Sequence, residues 1–246
     1  MDISRGRILA GWRVPWFLRQ VGWVVLGVLV YFGIRGLTES SAGVAVGHAK
    51  DIDAFERDLG IDVEGALQDP LKTSETLETV ANWIYIWGHW PVIIVTMVWL
   101  AWHHRPVFLR LRDGMLVSGA LGMIVFVSYP VAPPRLAGLG FVDTVTESSD
   151  AYRVLQPPAF VDQYAAMPSL HAGWDLLVGI AIFTAASSLW LKVVGCVMPA
   201  LMIFAVLATA NHFVVDVVAG IVLVLIGHAV ALALERRRLR RGRSPG

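Results

Sequence analysis

Apolar stretches of membrane length constrain this chain more than any other feature. A transmembrane helix needs about 20 predominantly apolar residues, and six segments of the 246-residue sequence meet that requirement. Only 16% of the residues are charged, against about 25% in a soluble domain. The sequence therefore predicts an all-α integral membrane protein with six transmembrane helices. The predicted spans are 16–36, 79–102, 114–132, 168–187, 189–209 and 213–234.

The basic residues predict the orientation of these helices. Arginines recur in the N-terminal segment, in the loop 103–113 and in the tail 235–246, whereas the loops 37–78 and 133–167 hold most of the acidic residues. Because basic loops remain on the cytoplasmic side, we expect both termini inside and a multi-pass protein of a bacterial plasma membrane. A basic tail beside a membrane helix contacts anionic lipid, so no nucleic-acid partner is expected.

The loops also have a predicted organisation, within one membrane domain that covers 1–246. In the outer loop 37–78, apolar residues recur at helical spacing among charges, which predicts two short amphipathic helices at the membrane surface. The outer loop 133–167 is rich in proline and glycine and is expected to form a wall over an active site.

The stretch MPSLHAGWD, residues 167–175, begins the fourth predicted span. Pro168 suits the first turn of a helix. Ser169 and His171 are then expected at the outer helix end, where free N–H groups and the helix dipole favour an anion. Asp175 lies one turn deeper, where a carboxylate is costly and is a functional hypothesis by default. We expect it to bond His171, to accept from an acceptor's hydroxyls, or to bond a neighbouring helix.

A second stretch, ATANHFVVDVVAG, residues 208–220, begins the sixth span. His212 and Asp216 are four apart, which predicts that they share one helix face. An aspartate so placed fixes the tautomer of a histidine and makes its free nitrogen a better nucleophile. Arg135 follows the third span and is expected on the same outer side. A cation, two histidines, carboxylates and a serine in one region suit phosphoryl transfer.

Histidines outside these stretches have weaker indications. His89 lies in WIYIWGHWPV among aromatic residues typical of a packing or interfacial belt. Asn82 and Tyr85 precede it on the same predicted helix and are weak candidates for a headgroup contact.

The two stretches resemble motifs of a known family. PSLH followed by HFVVD resembles the second and third motifs of the type 2 phosphatidic acid phosphatase superfamily, PSGH and SR-x5-H-x3-D. YPVAPPR, AAMPSLHAG and ANHFVVD resemble its inositol phosphorylceramide synthase branch more closely, and the resemblance covers about 80–225. It implies that His212 forms a phosphohistidine and that Asp216 orients it. It also implies that His171 protonates the leaving oxygen and that Ser169 donates to a phosphoryl oxygen. Neither a metal nor another cofactor is implied.

Three departures from the family patterns bear on the reaction. Leu170 replaces the glycine of PSGH. The first motif, K-x6-RP, has no match, because the only RP pair begins at Arg105, on the predicted cytoplasmic side. The SR pair of the third motif is also missing, since Val206 stands six residues before His212.

Fewer cations leave more of the phosphate charge to Arg135, helped by Arg153 or the amide of Asn211. The sequence therefore favours a phosphotransferase that acts on a lipid phosphate or phospholipid headgroup and transfers it to an alcohol or polyol, phosphoinositol transfer being one option. The first alternative is a phosphatase of phosphatidic acid or polyprenyl phosphate. Two alternatives of other classes are a proton-coupled lipid transporter and a membrane protein that binds a metal through His171, His212 and Asp216.

Overall fold

The structure is a computed structural model that describes residues 16, 18–23, 26–27, 42–145 and 164–241. The chain divides into two compact units, 1–37 and 38–246. In the first unit the described residues are helical, and the rest of the predicted span 16–36 lies outside the described residues. The prediction of one domain over 1–246 remains a prediction.

The described part of the second unit is helical, which confirms the all-α class. It contains no strand among the described residues, and one isolated bridge joins Val131 to Ala165. A 3₁₀ turn covers Pro134–Leu136. The α-helices are α1 (Ala42–Leu59), α2 (Glu64–Thr73), α3 (Glu75–Trp87), α4 (Trp90–His103), α5 (Arg105–Ser128), α6 (Leu170–Ala185), α7 (Leu189–Ala208) and α8 (Val214–Arg241).

Three of these helices, α5, α7 and α8, are long and apolar enough to cross a membrane. The pair α3 and α4 passes the same test together, although the two are bent by 41° at their junction. Helix α6 is apolar but has only 16 residues. Length and composition in the described part thus support three spans, or four with the bent pair, and the predicted count of six is not confirmed.

Two boundaries differ from the predictions because charged side chains find partners inside the fold. The predicted loop 103–113 is helical from Arg105 onwards, and the predicted tail is helical to Arg241. Arg110 of α5 donates to both carboxylate oxygens of Glu235 of α8, at 2.9 and 3.1 Å. Arg238 of α8 lies 2.6 Å from the Asp113 carboxylate. These pairs allow two helices to continue through segments that hydropathy alone assigns to loops.

The two amphipathic helices predicted in the loop 37–78 are present as α1 and α2. The buried stripe of α1 runs through Ala45, Ala49 and Ile52, whereas Phe55 is half exposed. This stripe packs against residues that precede the helices α6 and α8. Helix α1 therefore covers the part of the bundle where both sequence motifs lie.

Close backbone approach brings α6 and α8 together. A Cβ added at Gly220 of α8 would lie 2.2 Å from the Ser169 carbonyl oxygen, at the start of α6, so only glycine fits. The Ser169 N–H donates to the Asp216 carbonyl at 2.9 Å. Helices α6 and α7 meet in the same way at Gly179, where a Cβ would lie 2.3 Å from the Gly195 carbonyl oxygen. Small residues at such crossings are typical of helix packing in membranes.

Candidate active site

Ser169 is the N-cap of α6 and is fully buried. Its hydroxyl oxygen accepts from the Ala172 N–H at 3.4 Å, which stabilises the first turn. Pro168 precedes this cap, so the prediction that it lies in the first turn is wrong. Since the capping residue comes after the proline, the helix begins at Leu170. The Ser169 hydroxyl hydrogen is available to a bound oxygen.

His212 lies two residues before α8 begins, so the prediction that it shares a helix face with Asp216 is wrong. The reason is the turn that ends α7. Ala210 has a φ of 51°, and the N–H groups of Asn211 and His212 then both donate to the Val206 carbonyl, at 3.0 and 3.1 Å. The loop folds back on α7, and α8 starts only at Val214.

The His212 ring is held by a backbone carbonyl. Its Nδ1–H donates to the Ala166 carbonyl oxygen at 2.8 Å. The nearest Asp216 carboxylate oxygen is 3.6 Å from Nδ1 and accepts instead from the Phe213 N–H at 2.9 Å. Because Nδ1 carries the hydrogen, the lone pair lies on Nε2, which is the arrangement a histidine nucleophile requires. The Asp216 carboxylate thus bonds the backbone that follows His212 and lies too far from the ring for a hydrogen bond.

Two glutamates cap the start of α8, and sequence reasoning missed both. The Val214 N–H donates to Glu64 at 2.8 Å and the Val215 N–H to Glu56 at 2.7 Å. Burial raises the pKa of Glu56 to about 8 and, for the same reason, raises the pKa of Glu64. A sequence signal existed, since Glu56 continues the spacing of the buried stripe of α1.

The rings of the two motif histidines lie close together, one in the first turn of α6 and the other just before α8. The centroids of His171 and His212 are 5.9 Å apart. His171 also packs on Tyr85, at 4.8 Å, and on His89, at 4.3 Å. The Nε2 atom of His171 is buried and has no hydrogen-bond partner among the described residues. The site therefore holds one histidine fixed by the backbone and one whose buried Nε2 has no partner among the described residues.

Asp175 does not bond His171. One of its carboxylate oxygens bonds His89, and the other has no partner among the described residues. Asp175 accepts from Nδ1–H of His89 at 2.8 Å, and both side chains are buried. Of the predicted roles, a bond to a neighbouring helix is the one observed. His89 reaches it because the predicted span 79–102 is broken between α3 and α4, which leaves His89 at the N-cap of α4.

Arg135 is tied to the same loop as His212. Its Nε–H donates to the Asn211 side-chain oxygen at 2.9 Å, and its Nη1 lies 2.5 Å from the Asp143 carboxylate. The side-chain amide of Asn211 donates to the Thr209 hydroxyl at 2.7 Å. The structure thus bonds Arg135 to Asn211, the residue before His212, and pairs its guanidinium with the Asp143 carboxylate. Arg153 lies outside the described residues.

A family model described as PAP2 superfamily matches residues 50–230 of the chain. The chain belongs to the PAP2 superfamily. No curated protein and no solved structure matches it. The superfamily comprises phosphatases and phosphotransferases, which supports a membrane-embedded enzyme of that type. The superfamily part of the sequence resemblance is confirmed, and the inositol phosphorylceramide synthase branch remains a prediction.

Leu170, which stands where the PAP2 superfamily pattern PSGH has glycine, packs against a glycine of α5. A Cβ at Gly122 of α5 would lie 3.3 Å from the Leu170 side chain. Leu170 therefore fills space that a glycine on α5 leaves open. The departure changes the packing of α6 on α5 and leaves His171 at the start of α6.

Proposed function

We propose that this protein is a membrane phosphotransferase that moves a phosphoryl group or phospho-headgroup from a lipid to an alcohol through a phosphohistidine on His212. One observation carries the proposal: the ring centroids of His171 and His212 are 5.9 Å apart, and the Nδ1–H of His212 is held by a backbone carbonyl. A nucleophile and a proton donor in this proximity suit in-line displacement at phosphorus.

The reaction follows in two steps. Nε2 of His212 attacks the phosphorus, the bond to the leaving oxygen breaks, and protonated His171 gives that oxygen its proton. An acceptor alcohol then attacks the phosphohistidine and gives its own proton to His171, which returns both histidines to their starting states. Acid–base catalysis of this kind contributes about 10²- to 10⁴-fold.

The transferred phosphoryl oxygens require donors, and the start of α6 provides them. The Ser169 hydroxyl and the free N–H groups of the first turn favour an anion there. Arg135 adds positive charge from the loop beside His212, partly offset by Asp143. This modest supply of cations supports a substrate with less charge than a free phosphomonoester, such as a phosphodiester headgroup.

The burial of the site supports an alcohol acceptor over water. His212 is 5% exposed and Ser169 is fully buried. Water that reached the phosphohistidine would make the enzyme a lipid phosphatase, which is the alternative product of the same chemistry. A lipid or polyol alcohol bound beside the phosphohistidine would exclude water.

The proposed location is the plasma membrane, with both termini in the cytoplasm and the site on the outer side. Helix α8 supports this arrangement. Its 28 residues extend roughly 40 Å at about 1.5 Å per residue. His212 precedes one end, and Arg238, Arg240 and Arg241 lie at the other. Basic residues favour the cytoplasmic side.

Mass spectrometry of reaction products tests the proposal. The purified protein in liposomes would be incubated with phosphatidic acid, a polyprenyl phosphate or phosphatidylinositol, with and without a lipid alcohol. We expect an alcohol that carries a new phosphoryl group or headgroup, and no such product from His212→Ala. Free phosphate in place of that product would make the protein a phosphatase. No product from any lipid would contradict an enzyme of this class and would favour the alternative of a proton-coupled lipid transporter.

A further inference from the structure

The site contains a second histidine–carboxylate pair that neither sequence motif predicts. Nδ1–H of His89 donates to the Asp175 carboxylate at 2.8 Å. The side chains are 3% and 0% exposed, so the pair is shielded from solvent. His89 comes from the break between α3 and α4, and Asp175 comes from α6. A buried carboxylate is costly and persists where it is paired.

This pair lies directly against the proposed acid. The His89 and His171 rings are 4.3 Å apart with an interplanar angle of 41°, and Asp175 is one turn beyond His171 on α6. Asp175, His89, His171 and His212 therefore form a continuous series from the bundle interior to the nucleophile. The Asp216 carboxylate, by contrast, accepts from the Phe213 N–H.

His171 must carry a proton during turnover, although its Nε2 atom is buried without a partner among the described residues. An imidazolium in such surroundings needs a compensating negative charge nearby. Asp175 is a carboxylate one turn along α6 from His171, and its hydrogen bond fixes the tautomer of His89, the ring that packs on His171.

Resting on the proposed function, we infer that His89 and Asp175 are positioning residues for His171. Through their contact, they hold its ring against the leaving oxygen and stabilise the imidazolium that protonates it. No proton leaves His89 or Asp175 in this scheme. The proton that reaches the leaving oxygen comes from His171, and the acceptor hydroxyl replaces it.

A pair of substrates with the same transferred group distinguishes this role from a purely structural one. The first is the aliphatic lipid substrate found in the product assay, whose alkoxide needs a proton to leave. The second carries the same transferred group as a 4-nitrophenyl ester, and its leaving group, nitrophenolate, departs without being protonated. Asp175→Asn and His89→Gln should lower the first-turnover rate of leaving-group release from the aliphatic substrate about 100-fold, as expected for a weakened general acid. On the aryl ester the loss should stay below about tenfold.

His228→Gln is the matched control, because His228 is a half-buried histidine of α8 far along the helix from His212. It should leave both rates unchanged. Yield and thermal unfolding in detergent identify variants that fold, and His89→Gln gives the test by itself if Asp175→Asn does not fold. Equal losses on both substrates in a folded variant would overturn the inference and leave the proposed function intact. A product assay in which the wild-type protein turns over none of the lipids would instead refute the proposed function.

Discussion

Two histidine–carboxylate pairs in this protein have opposite constructions. His212 and Asp216 are close in sequence, yet their side chains are 3.6 Å apart and a backbone carbonyl holds the histidine. His89 and Asp175 come from different helices and share a direct bond of 2.8 Å. The proposed nucleophile, His212, is thus held by the backbone, whereas the proposed acid, His171, packs on a histidine that is bonded to a buried carboxylate.

The largest effect is expected from His212→Ala. Removing the nucleophile should lower turnover at least about 10⁴-fold on aliphatic and aryl substrates alike, because both need the phosphohistidine. Radiolabelled product formation would measure the loss in protein that keeps its wild-type elution profile in detergent. Activity within tenfold of wild type would show that another group attacks phosphorus.

A smaller effect is expected from Asp216→Asn. In a Ser-His-Asp triad, replacing the aspartate by asparagine lets the histidine adopt the wrong tautomer and lowers kcat about 10⁴-fold. Here the Ala166 carbonyl keeps the His212 tautomer, so we expect a loss of about 100-fold, equal on both substrates. The kcat ratio of the two substrates is the measurement. A loss confined to the aliphatic substrate would mean that Asp216 serves the acid, and the contrast between the pairs would fail.

Gly220→Ala tests the approach that joins the two motifs. The new methyl would meet the Ser169 carbonyl oxygen at 2.2 Å, so α6 and α8 must separate. We expect a stability loss of about 1–3 kcal/mol, typical of overpacking, together with reduced activity. Gly43→Ala is the control, because nothing lies within 4 Å of its added Cβ. Thermal unfolding in detergent that treats both variants alike would contradict the packing described for Gly220.

The smallest effect on activity is expected from the carboxyls that cap α8, whose titration changes stability. The Glu56 pKa is about 8 in the fold against 4.5 as a reference, because burial disfavours its charge beside Glu64 and Asp216. The folded state thus binds the proton more tightly. Its contribution to stability is complete below pH 4.5 and is lost as the pH rises through 8, by at most about 1.4 kcal/mol per pH unit.

Thermal unfolding between pH 5 and pH 8 checks this point. The wild-type midpoint should fall as the pH rises, and Glu56→Gln should flatten the curve, since its amide oxygen still accepts from the Val215 N–H. An unchanged slope in the variant would assign the pH dependence to another group.

Local patterns in the sequence were sufficient to predict the helices whose formation depends only on their own residues. Hydropathy located α6, α7 and α8, and helical spacing located α1 and α2. The motif residues His171 and His212 were selected by pattern, and the structure brings their rings to 5.9 Å. These features follow from short-range periodicity and from the order of the segments.

Features that depend on distant partners could not be read in the same way. The late start of α8 depends on the Val206 carbonyl, which draws the loop back onto α7. The role of His89 depends on a break in a uniformly apolar segment and on Asp175, which is 86 residues away. Spacing rules assume a continuous helix, and both of these sites lie where a helix stops.

Direct detection of the phosphohistidine tests the central claim most closely. The wild-type protein would be mixed with the aryl ester, quenched in alkali within the first turnover, digested, and analysed by mass spectrometry. The account predicts a phosphate or phospho-headgroup on His212, absent in His212→Ala and retained in His89→Gln and Asp175→Asn. Turnover by the wild-type protein with no modified His212, or with the modification on His171, would contradict the account.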